Sequence, residues 1–262
     1  MDLTNQLAVT LAGLGLVGGF FSGWLGIGGG IIMAPLLLYV PAALGVGVLD
    51  MKTIAGLTMV QSLFATGYGV IVHRRFRSVS RGLVLWMGTS IAAASLAGAL
   101  LSHLLSARAL LGIFTVLAFI AAGMMFIPRR EQEEPLVQDV KYNRRLAVLC
   151  ALGVGLAGGL VGQSGAFIVI PVMLYILKIP TRVTIGSSLG IVFLAALAGS
   201  IGKAATGQID WPMAAFCVIG ALAGSQAGSY LSHRTRRRRL RQVLAVIIAI
   251  TAIRMALDLA GV

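Results

Sequence analysis

A long apolar run interrupted by glycines constrains the fold of this chain more than any other feature. No charged residue lies between Asp2 and Asp50, a stretch longer than the ~20 residues that a helix needs to cross a bilayer. Residues 26–30 (GIGGG) interrupt this run, and each interior glycine costs a helix roughly 1 kcal/mol relative to alanine. Broken helix at membrane depth is tolerated only where protein buries it or where it lines a cavity. The sequence therefore predicts a helix break that is enclosed by the rest of the protein.

A second copy of this pattern lies in residues 153–175. The copy keeps the spacing between the glycine break, the proline that follows it and the tyrosine at its end. Two apolar segments broken by glycine in corresponding halves of a chain are a pattern that predicts a transporter binding site. The aligned pairs are Gly28 with Ser164, Gly29 with Gly165, Gly30 with Ala166, Pro35 with Pro171, and Tyr39 with Tyr175.

The composition indicates a membrane protein. Of the 262 residues, 58% are hydrophobic and 11% are charged, and the mean hydropathy is +0.95, whereas a soluble domain carries about 25% charged residues. Several uncharged stretches follow one another, each long enough to span a bilayer. We therefore predict an all-α polytopic membrane protein. The net charge of +13 comes from basic residues in short loops, where they determine topology, so we do not expect nucleic-acid binding.

The chain divides into two halves of the same design. Residues 1–127 form the first predicted repeat, residues 128–145 a cytoplasmic linker, and residues 146–262 the second repeat. Each repeat has one glycine-broken segment, either a re-entrant hairpin or two short tilted helices, and three transmembrane helices. These helices are expected at residues 53–72, 82–101, 109–127, 184–206, 211–231 and 243–259.

The distribution of lysine and arginine predicts the orientation of the two halves. If every segment crossed the membrane once, the basic residues would divide almost evenly between the two sides. If each broken segment enters and leaves on the same side, all but Lys52, Arg108, Lys203 and Arg254 share one side. Cytoplasmic loops carry the excess of Lys and Arg, so the second arrangement is favoured. It predicts inverted repeats in a multi-pass protein of the cell (inner) membrane, with both termini outside the cytoplasm.

The two breaks form the candidate binding site. Backbone N–H groups at the start of each following half-helix carry roughly half a positive charge, which suits an oxyanion. Inverted repeats would direct both half-helix starts towards one site near the membrane midplane. Gln163 and Ser164 add side-chain donors, and Ser187 and Ser188 are expected to face the same cavity. The predicted substrate-binding residues are Gly28, Gly29, Gly30, Gln163, Ser164, Gly165, Ala166, Ser187 and Ser188.

Helix packing is the main alternative role for the glycines. Small residues let helices approach closely in membranes, and we assign Gly18, Gly19, Gly158 and Gly159 to that role. Lys203 lies about one turn from the end of its segment, where it either draws anions towards the site or extends to the interface. No lysine or arginine is expected deep enough to neutralise a dianion, and burying an unpaired charge is costly. We therefore expect the site to prefer a compact monoanion.

Three glutamines lie well inside apolar segments, namely Gln61, Gln163 and Gln226. Polar groups inside a membrane are commonly functional, and hydrogen bonding between helices is the competing role. We expect Gln163 to be functional and leave both roles open for the other two. The sequence contains no motif for a metal, and no resident cofactor is expected.

The residues around the first break carry a resemblance to a known family. The spacing G-x-x-G-G-x-x-x-G-x-x-G-x-G-G-G-x-x-x-x-P, from Gly15 to Pro35, resembles the sulfite exporter TauE/SafE family, as do the segment TIGSSL (Thr184 to Leu189) and the basic loop between the halves. The resemblance implies a permease for a small sulfur-containing anion such as sulfite or an organosulfonate. It also implies secondary transport without an ATPase domain, and whether a proton or sodium is coupled to it stays open. The oligomeric state, including a homo-oligomer, stays open.

Two other classes of function fit parts of the same pattern. A passive anion channel would use the same site. An intramembrane serine protease would use a GxSG element, which residues 162–165 (GQSG) resemble, with a histidine as the base. However, His73, His103 and His233 all fall at the ends of apolar segments. The second break is also one arm of a duplication whose twin has no serine, so a transporter is the favoured interpretation.

Overall fold

The computed structural model describes residues 3–25, 28–74, 79–126, 142–235 and 237–260. Within these residues the chain forms ten α-helices, with a 3₁₀ turn after α4 and a π-helical turn after α7. In chain order they are α1 (Leu3–Leu25), α2 (Gly30–Ala43), α3 (Met51–Arg74), α4 (Arg81–Leu101), the 3₁₀ turn (Ser102–Leu104), α5 (Ala107–Phe126), α6 (Arg144–Val161), α7 (Ala166–Pro171), the π-helical turn (Val172–Ile176), α8 (Thr181–Ala205), α9 (Trp211–Arg234) and α10 (Arg237–Ala260).

The helices confirm the all-α polytopic prediction. In the described part of the chain, eight of them are long and apolar enough to cross a membrane, and the shorter apolar helices are α2 and α7. The six helices predicted beyond the broken segments are all present, with ends close to the expected ones. The main difference is α10, which begins at Arg237 inside the basic run rather than at Val243, because arginine is a good helix former. Most of the predicted linker, residues 128–145, lies outside the described residues.

Polar caps define the starts of three of the membrane helices. The side chain of Asp50 accepts a hydrogen bond from the N–H of Thr53 (3.0 Å) at the start of α3. Asn143 does the same at α6, and Asp210 at α9. Such caps satisfy N–H groups that a helix start leaves without a partner. A polar residue directly before an apolar run therefore determines where each of these helices begins.

The first broken segment is a hairpin. A Cβ at Gly29 would lie 2.3 Å from the carbonyl oxygen of Gly18, and a Cβ at Gly18 would lie 3.0 Å from Sδ of Met33. The start of α2 therefore packs against the second half of α1. Beyond the end of α2, Gly47 approaches Leu7, near the start of α1. The chain thus returns along α1 and leaves at the end where it entered.

The second broken segment folds back in the same way. A Cβ at Gly158 of α6 would lie 2.1 Å from the backbone nitrogen of Gly165. After the π-helical turn, Ile179 joins an apolar cluster that contains Ala147 from the first turn of α6. The two legs are unequal, with 18 residues in α6 against 6 in α7 and 5 in the π-helical turn. The sequence left open whether each broken segment is a re-entrant hairpin or two short tilted helices, and the structure shows that the second folds back with legs of unequal length.

Glycine ladders join helices from the two halves. Gly19 of α1 would place a Cβ 2.2 Å from the carbonyl oxygen of Ala221 in α9, and Gly159 of α6 would place one 2.2 Å from that of Ser95 in α4. The packing role predicted for these two glycines is confirmed. Residue numbers rise together along the α1–α9 ladder, so α1 and α9 run parallel. The glycines of this ladder are Gly15, Gly19 and Gly23 on α1 and Gly220, Gly224 and Gly228 on α9.

Replacing Gly19 with alanine should destabilise the fold. The new methyl group would meet the backbone of α9, which cannot move aside as a flexible side chain can, and overpacking of this kind costs roughly 1–3 kcal/mol. Thermal unfolding of the purified protein checks this. The matched control is Gly13→Ala on the same helix, where a Cβ meets nothing within 4 Å. Equal melting temperatures for the two variants would contradict the packing role.

Helices α3 and α8 occupy equivalent places in the two halves and run in opposite directions. A Cβ at Gly199, late in α8, would lie 2.5 Å from Cε of Met59, early in α3. A Cβ at Gly69, late in α3, would lie 3.2 Å from Cδ2 of Leu189, early in α8. The two helices are therefore antiparallel neighbours at the centre of the molecule. Both are largely buried along their lengths, and α3 lies beside both breaks.

Candidate functional site

The two breaks have the same backbone conformation. Gly28 (φ 68°) and Ser164 (φ 53°) are left-handed, and so are the residues that follow them, Gly29 (φ 76°) and Gly165 (φ 66°). Each second left-handed residue precedes the short helix of its hairpin and accepts hydrogen bonds from the N–H groups three and four residues ahead. The duplication seen in the sequence is thus also a duplication of backbone geometry.

Ser164 is the one residue of these four that has a side chain. The left-handed conformation costs a residue with a Cβ roughly 1–2 kcal/mol, and the equivalent residue in the first break is a glycine. Such conformations tend to cluster at functional sites, where the surrounding structure maintains them. Ser164 therefore keeps its hydroxyl at the cost of local backbone strain.

The side chain of Gln163 brings the two breaks together. A Cβ at Gly30, the first residue of α2, would lie 2.2 Å from Oε1 of Gln163. The amide group of the second break therefore rests directly against the start of the short helix that follows the first break. The absence of a side chain at Gly30 leaves the space that this amide occupies.

Helix α3 lies between the breaks and contacts both of them. Nε2 of Gln61 lies 3.1 Å from the position of a Cβ at Gly29. On the neighbouring face, Oγ of Ser62 and Sδ of Met59 lie 3.4 Å and 3.3 Å from Oγ of Ser164. Consecutive residues of α3 thus reach the first and the second break. The hydroxyl of Ser164 has only weak partners here, because a thioether sulfur is a poor acceptor.

Both glutamine amides at this point are buried without hydrogen bonds. Gln61 and Gln163 are each 0% exposed, and neither Oε1 nor Nε2 of either has a hydrogen-bond partner among the described residues. Leaving a buried polar group unsatisfied costs roughly 1–3 kcal/mol. Buried polar groups in native proteins are nearly always paired. Two orphaned amides beside a strained serine therefore make the breaks the candidate binding site.

Two of the predicted site residues lie elsewhere. Oγ of Ser187 accepts a hydrogen bond from the N–H of Ser80 (2.9 Å) at the start of α4. Oγ of Ser188 lies 2.9 Å from the carbonyl oxygen of Ile185 in its own helix. Gly199 is the residue of α8 that lies level with Met59, and Met59 contacts the second break. Ser187 lies twelve residues before Gly199, about 18 Å along the helix, and is therefore far from the breaks. The remaining predicted residues, from Gly28 to Gly30 and from Gln163 to Ala166, all belong to the two breaks.

The expectations about Gly18, Gly158 and Lys203 have different outcomes. Gly18 and Gly158 serve close packing, as the sequence predicted, and what they admit are the breaks themselves: a Cβ at Gly18 would be 3.3 Å from Nε2 of Gln61, and one at Gly158 would be 2.1 Å from the backbone nitrogen of Gly165. Lys203, for which extension to the interface was one expectation, is fully buried. Packing between α8, α4 and α6 encloses it, and a single sequence does not reveal which face of a helix such neighbours cover.

The structure gives no support to a nucleophilic serine. Within the described residues, the hydroxyl of Ser164 contacts only Sδ of Met59 and Oγ of Ser62, and neither group is a base. Nδ1 of His103 lies 2.5 Å from the carbonyl oxygen of Leu100, at the end of α4. The chemistry available at the breaks is therefore hydrogen bonding to a ligand.

Comparisons with known proteins identify a family and several relatives of this chain. The family model described as "Sulfite exporter TauE/SafE" matches residues 11–255. A "Probable membrane transporter protein" of Xylella fastidiosa (strain 9a5c) is 29% identical, with 95% of this chain and 94% of the relative covered. In Bacillus subtilis (strain 168), the "Probable membrane transporter protein YjnA" is 27% identical (95% and 100% covered) and the "Probable membrane transporter protein YunE" is 23% identical (92% and 94% covered). No solved structure matches the chain.

Proposed function

The chain belongs to the sulfite exporter TauE/SafE family and is a membrane transporter, and on this premise we propose that it carries a small sulfur-containing anion bound between the two breaks. The observation that carries the proposal is the pair of buried amides, Gln61 and Gln163, which lack partners in the described part of the chain. Their NH₂ groups can donate to the oxygens of an anion. The hydroxyl of Ser164 supplies a further donor beside them.

The start of α2 adds a favourable electrostatic field. This helix has 14 residues and carries no charged side chain in its first turn, so its partial positive charge is not neutralised locally. Anions are stabilised at such helix starts. Gly29 and Gly30 have no side chains, and the space that this leaves admits the backbone of Gly18 and the amide of Gln163, which brings that amide to the helix start. Neutral donors and a helix dipole suit a monoanion such as hydrogensulfite or a sulfonate.

A binding screen of the purified full-length protein tests the proposed cargo. Isothermal titration calorimetry with sulfite, methanesulfonate, sulfate and acetate should give the tightest binding for one of the first two anions at a pH where it is singly charged. Acetate provides the control for charge without a sulfur centre. Binding of acetate as tightly as sulfite would contradict the choice of a sulfur anion as cargo.

Inverted repeats in the membrane are part of the same proposal. Both hairpins return to the end where they begin, and the equivalent helices α3 and α8 are antiparallel, which supports two halves of opposite orientation. Transport would then proceed by movement of one half against the other around the site between the breaks. A channel would need no such movement. Anion uptake into proteoliposomes separates the two mechanisms. Uptake that increases with an imposed proton or sodium gradient favours the coupled carrier, and uptake that ignores both gradients favours the channel.

The topology has its own expected result. We expect the turn after α4 to lie outside the cytoplasm and the start of α4 to lie in the cytoplasm. The reason is that most of the basic loops share the side of the membrane on which α4 starts, and cytoplasmic loops carry the excess of Lys and Arg. In a background with Cys150 and Cys217 replaced by serine, a cysteine at Leu104 should react with a membrane-impermeant maleimide in intact cells. A cysteine at Arg81 should react only after permeabilisation. The reverse pattern would contradict the proposed orientation.

A further inference from the structure

Lys203 is the one charged side chain in the described part of the chain that is fully buried, with 0% of its surface exposed. It lies one turn beyond Gly199 on α8, which is about 6 Å along the helix. A Cβ at Gly199 would touch Met59, and Met59 contacts Ser164 of the second break. The ammonium group is therefore near the proposed site but separate from it, towards the end of α8.

The partners of this ammonium group are all neutral oxygens. Nζ of Lys203 donates to Oγ of Ser102 (2.7 Å), to Oε1 of Gln208 (2.9 Å) and, at 3.4 Å, to the carbonyl oxygen of Leu160. No carboxylate of a described residue is among them. The last turn of α6, which contains Leu160, contributes the partial negative charge of a helix end. A buried cation without a full counter-charge is unfavourable, so this arrangement favours the arrival of an anion.

The side chain of Gln208 occupies the place that an anion oxygen would take. Its Oε1 accepts a hydrogen bond from Nζ of Lys203 and lies 3.0 Å from Oγ of Ser102. Its backbone is fixed independently, because its N–H donates to the carbonyl oxygen of Lys203 (2.9 Å) and its own carbonyl oxygen packs on Gly56. The half-buried side chain is itself held by hydrogen bonds from Nε2 to Oγ1 of Thr206 (2.6 Å) and, at 3.5 Å, to the carbonyl oxygen of Ala99. These bonds, and not the loop between α8 and α9, must rearrange when the side chain moves out of this place.

A second cation lies on the other side of the turn Ser102–Leu104. Nζ of Lys52 donates to the carbonyl oxygen of His103 (3.2 Å), and its positive charge repels the positive charge of Lys203. Lys52 is partly exposed, whereas Lys203 is enclosed. A graded pair of like charges that leads inwards raises the local concentration of anions.

We propose that Ser102, Lys203 and Gln208 form an outer subsite that binds a small inorganic oxyanion, such as sulfite or sulfate, on its way to the breaks. An oxygen of the anion replaces Oε1 of Gln208 between the ammonium group and the serine hydroxyl. The released amide can then donate to the same anion through Nε2. This inference deepens the proposed function and rests on it for the passage of the anion from the outer subsite to the breaks.

The sharpest test changes Gln208 to glutamate, which has the same shape and supplies a permanent counter-charge to Lys203. We expect Gln208→Glu to raise the melting temperature and to lower the affinity for sulfate at least tenfold, measured by calorimetry on the full-length protein. The matched control is Gln6→Glu, which adds the same charge at an exposed glutamine in the first turn of α1 and should bind sulfate within twofold of the original chain. Unchanged sulfate affinity in Gln208→Glu, a lower melting temperature, or no sulfate binding by the original chain would overturn the proposal.

A second variant separates anion binding from a purely structural role of the lysine. Lys203→Gln keeps hydrogen bonds to Ser102 and Leu160 but removes the charge, and we expect it to fold and to lose sulfate binding at least tenfold. Loss of thermal stability with unchanged sulfate affinity would show that the lysine only holds the loop. Ser164→Gly should keep sulfate binding at the outer subsite. If Ser164→Gly binds methanesulfonate, an organic anion, as tightly as the original chain does, the site at the breaks fails while the outer subsite stands.

Discussion

Replacing Ser164 with glycine should leave the fold intact and weaken the binding of the transported anion roughly 10- to 100-fold. The hydroxyl would be lost, and a hydrogen bond to a charged group contributes about 1.5–3 kcal/mol. The backbone would not suffer, because residue 164 is left-handed and glycine adopts that conformation without strain. The first break already has glycine at the equivalent position, Gly28. Calorimetry with sulfite or methanesulfonate, together with thermal unfolding, measures both effects.

Ser164→Ala is the matched comparison for this prediction. Alanine also lacks the hydroxyl but retains a Cβ in the left-handed region, which keeps a strain of roughly 1–2 kcal/mol. We expect the two variants to lose the same affinity, and the alanine variant to melt at the lower temperature. Anion binding at the original strength in both variants would show that the hydroxyl of Ser164 does not contact the cargo.

Replacing Gln163 with leucine should stabilise the protein and abolish the binding of methanesulfonate, an organic anion, at the breaks. Leucine fills a similar volume and leaves no buried polar atoms, whereas both amide atoms of Gln163 lack partners among the described residues. We expect the free energy of unfolding to rise by about 1–3 kcal/mol in the absence of anion. Removal of the amide that rests against Gly30 also removes its NH₂ donor, so methanesulfonate should no longer bind at the breaks.

Gln226→Leu controls for the change of residue type. Gln226 lies within the apolar span of α9 with its side chain exposed, where leucine is tolerated, so its replacement should leave the stability no lower and the anion affinity unchanged. A loss of stability in Gln163→Leu would indicate that the amide serves the fold through hydrogen bonds. In that case the orphaned amides would not be evidence for a ligand.

Opposite changes in stability and binding are expected because the site is not optimised for the empty state. The left-handed Ser164 and the two unpaired amides of Gln61 and Gln163 each cost free energy in the fold as it stands. A bound anion would repay part of that cost through hydrogen bonds to these donors. Natural proteins often retain such local violations at functional sites.

The duplication made much of this architecture predictable. Glycine spacing predicted the two breaks, and their equivalence extends to the left-handed residues Gly29 and Gly165. Apolar lengths located the transmembrane helices, because span length is determined by bilayer thickness. These features are local or periodic, so a single sequence contains them.

Contacts across the molecule were much less predictable. Gln61 was visible as a polar residue in an apolar segment, but its position against Gly29 depends on how α3 packs on the first hairpin. Ser187 was placed at the site because its segment follows the second break, yet its hydroxyl meets Ser80. The burial of Lys203 depends on which face of α8 the helices α4 and α6 cover. Such facts are tertiary, and no short-range pattern encodes them.

The position of a bound anion tests the central claim most directly. Selenite is the heavier analogue of sulfite, and its selenium can be located by anomalous scattering in crystals of the full-length protein. We expect an anomalous peak between the two breaks, within hydrogen-bonding distance of Oγ of Ser164 and of the amide of Gln163 or Gln61. Selenite that binds in solution but gives no peak between the breaks in these crystals would contradict the assignment of this site.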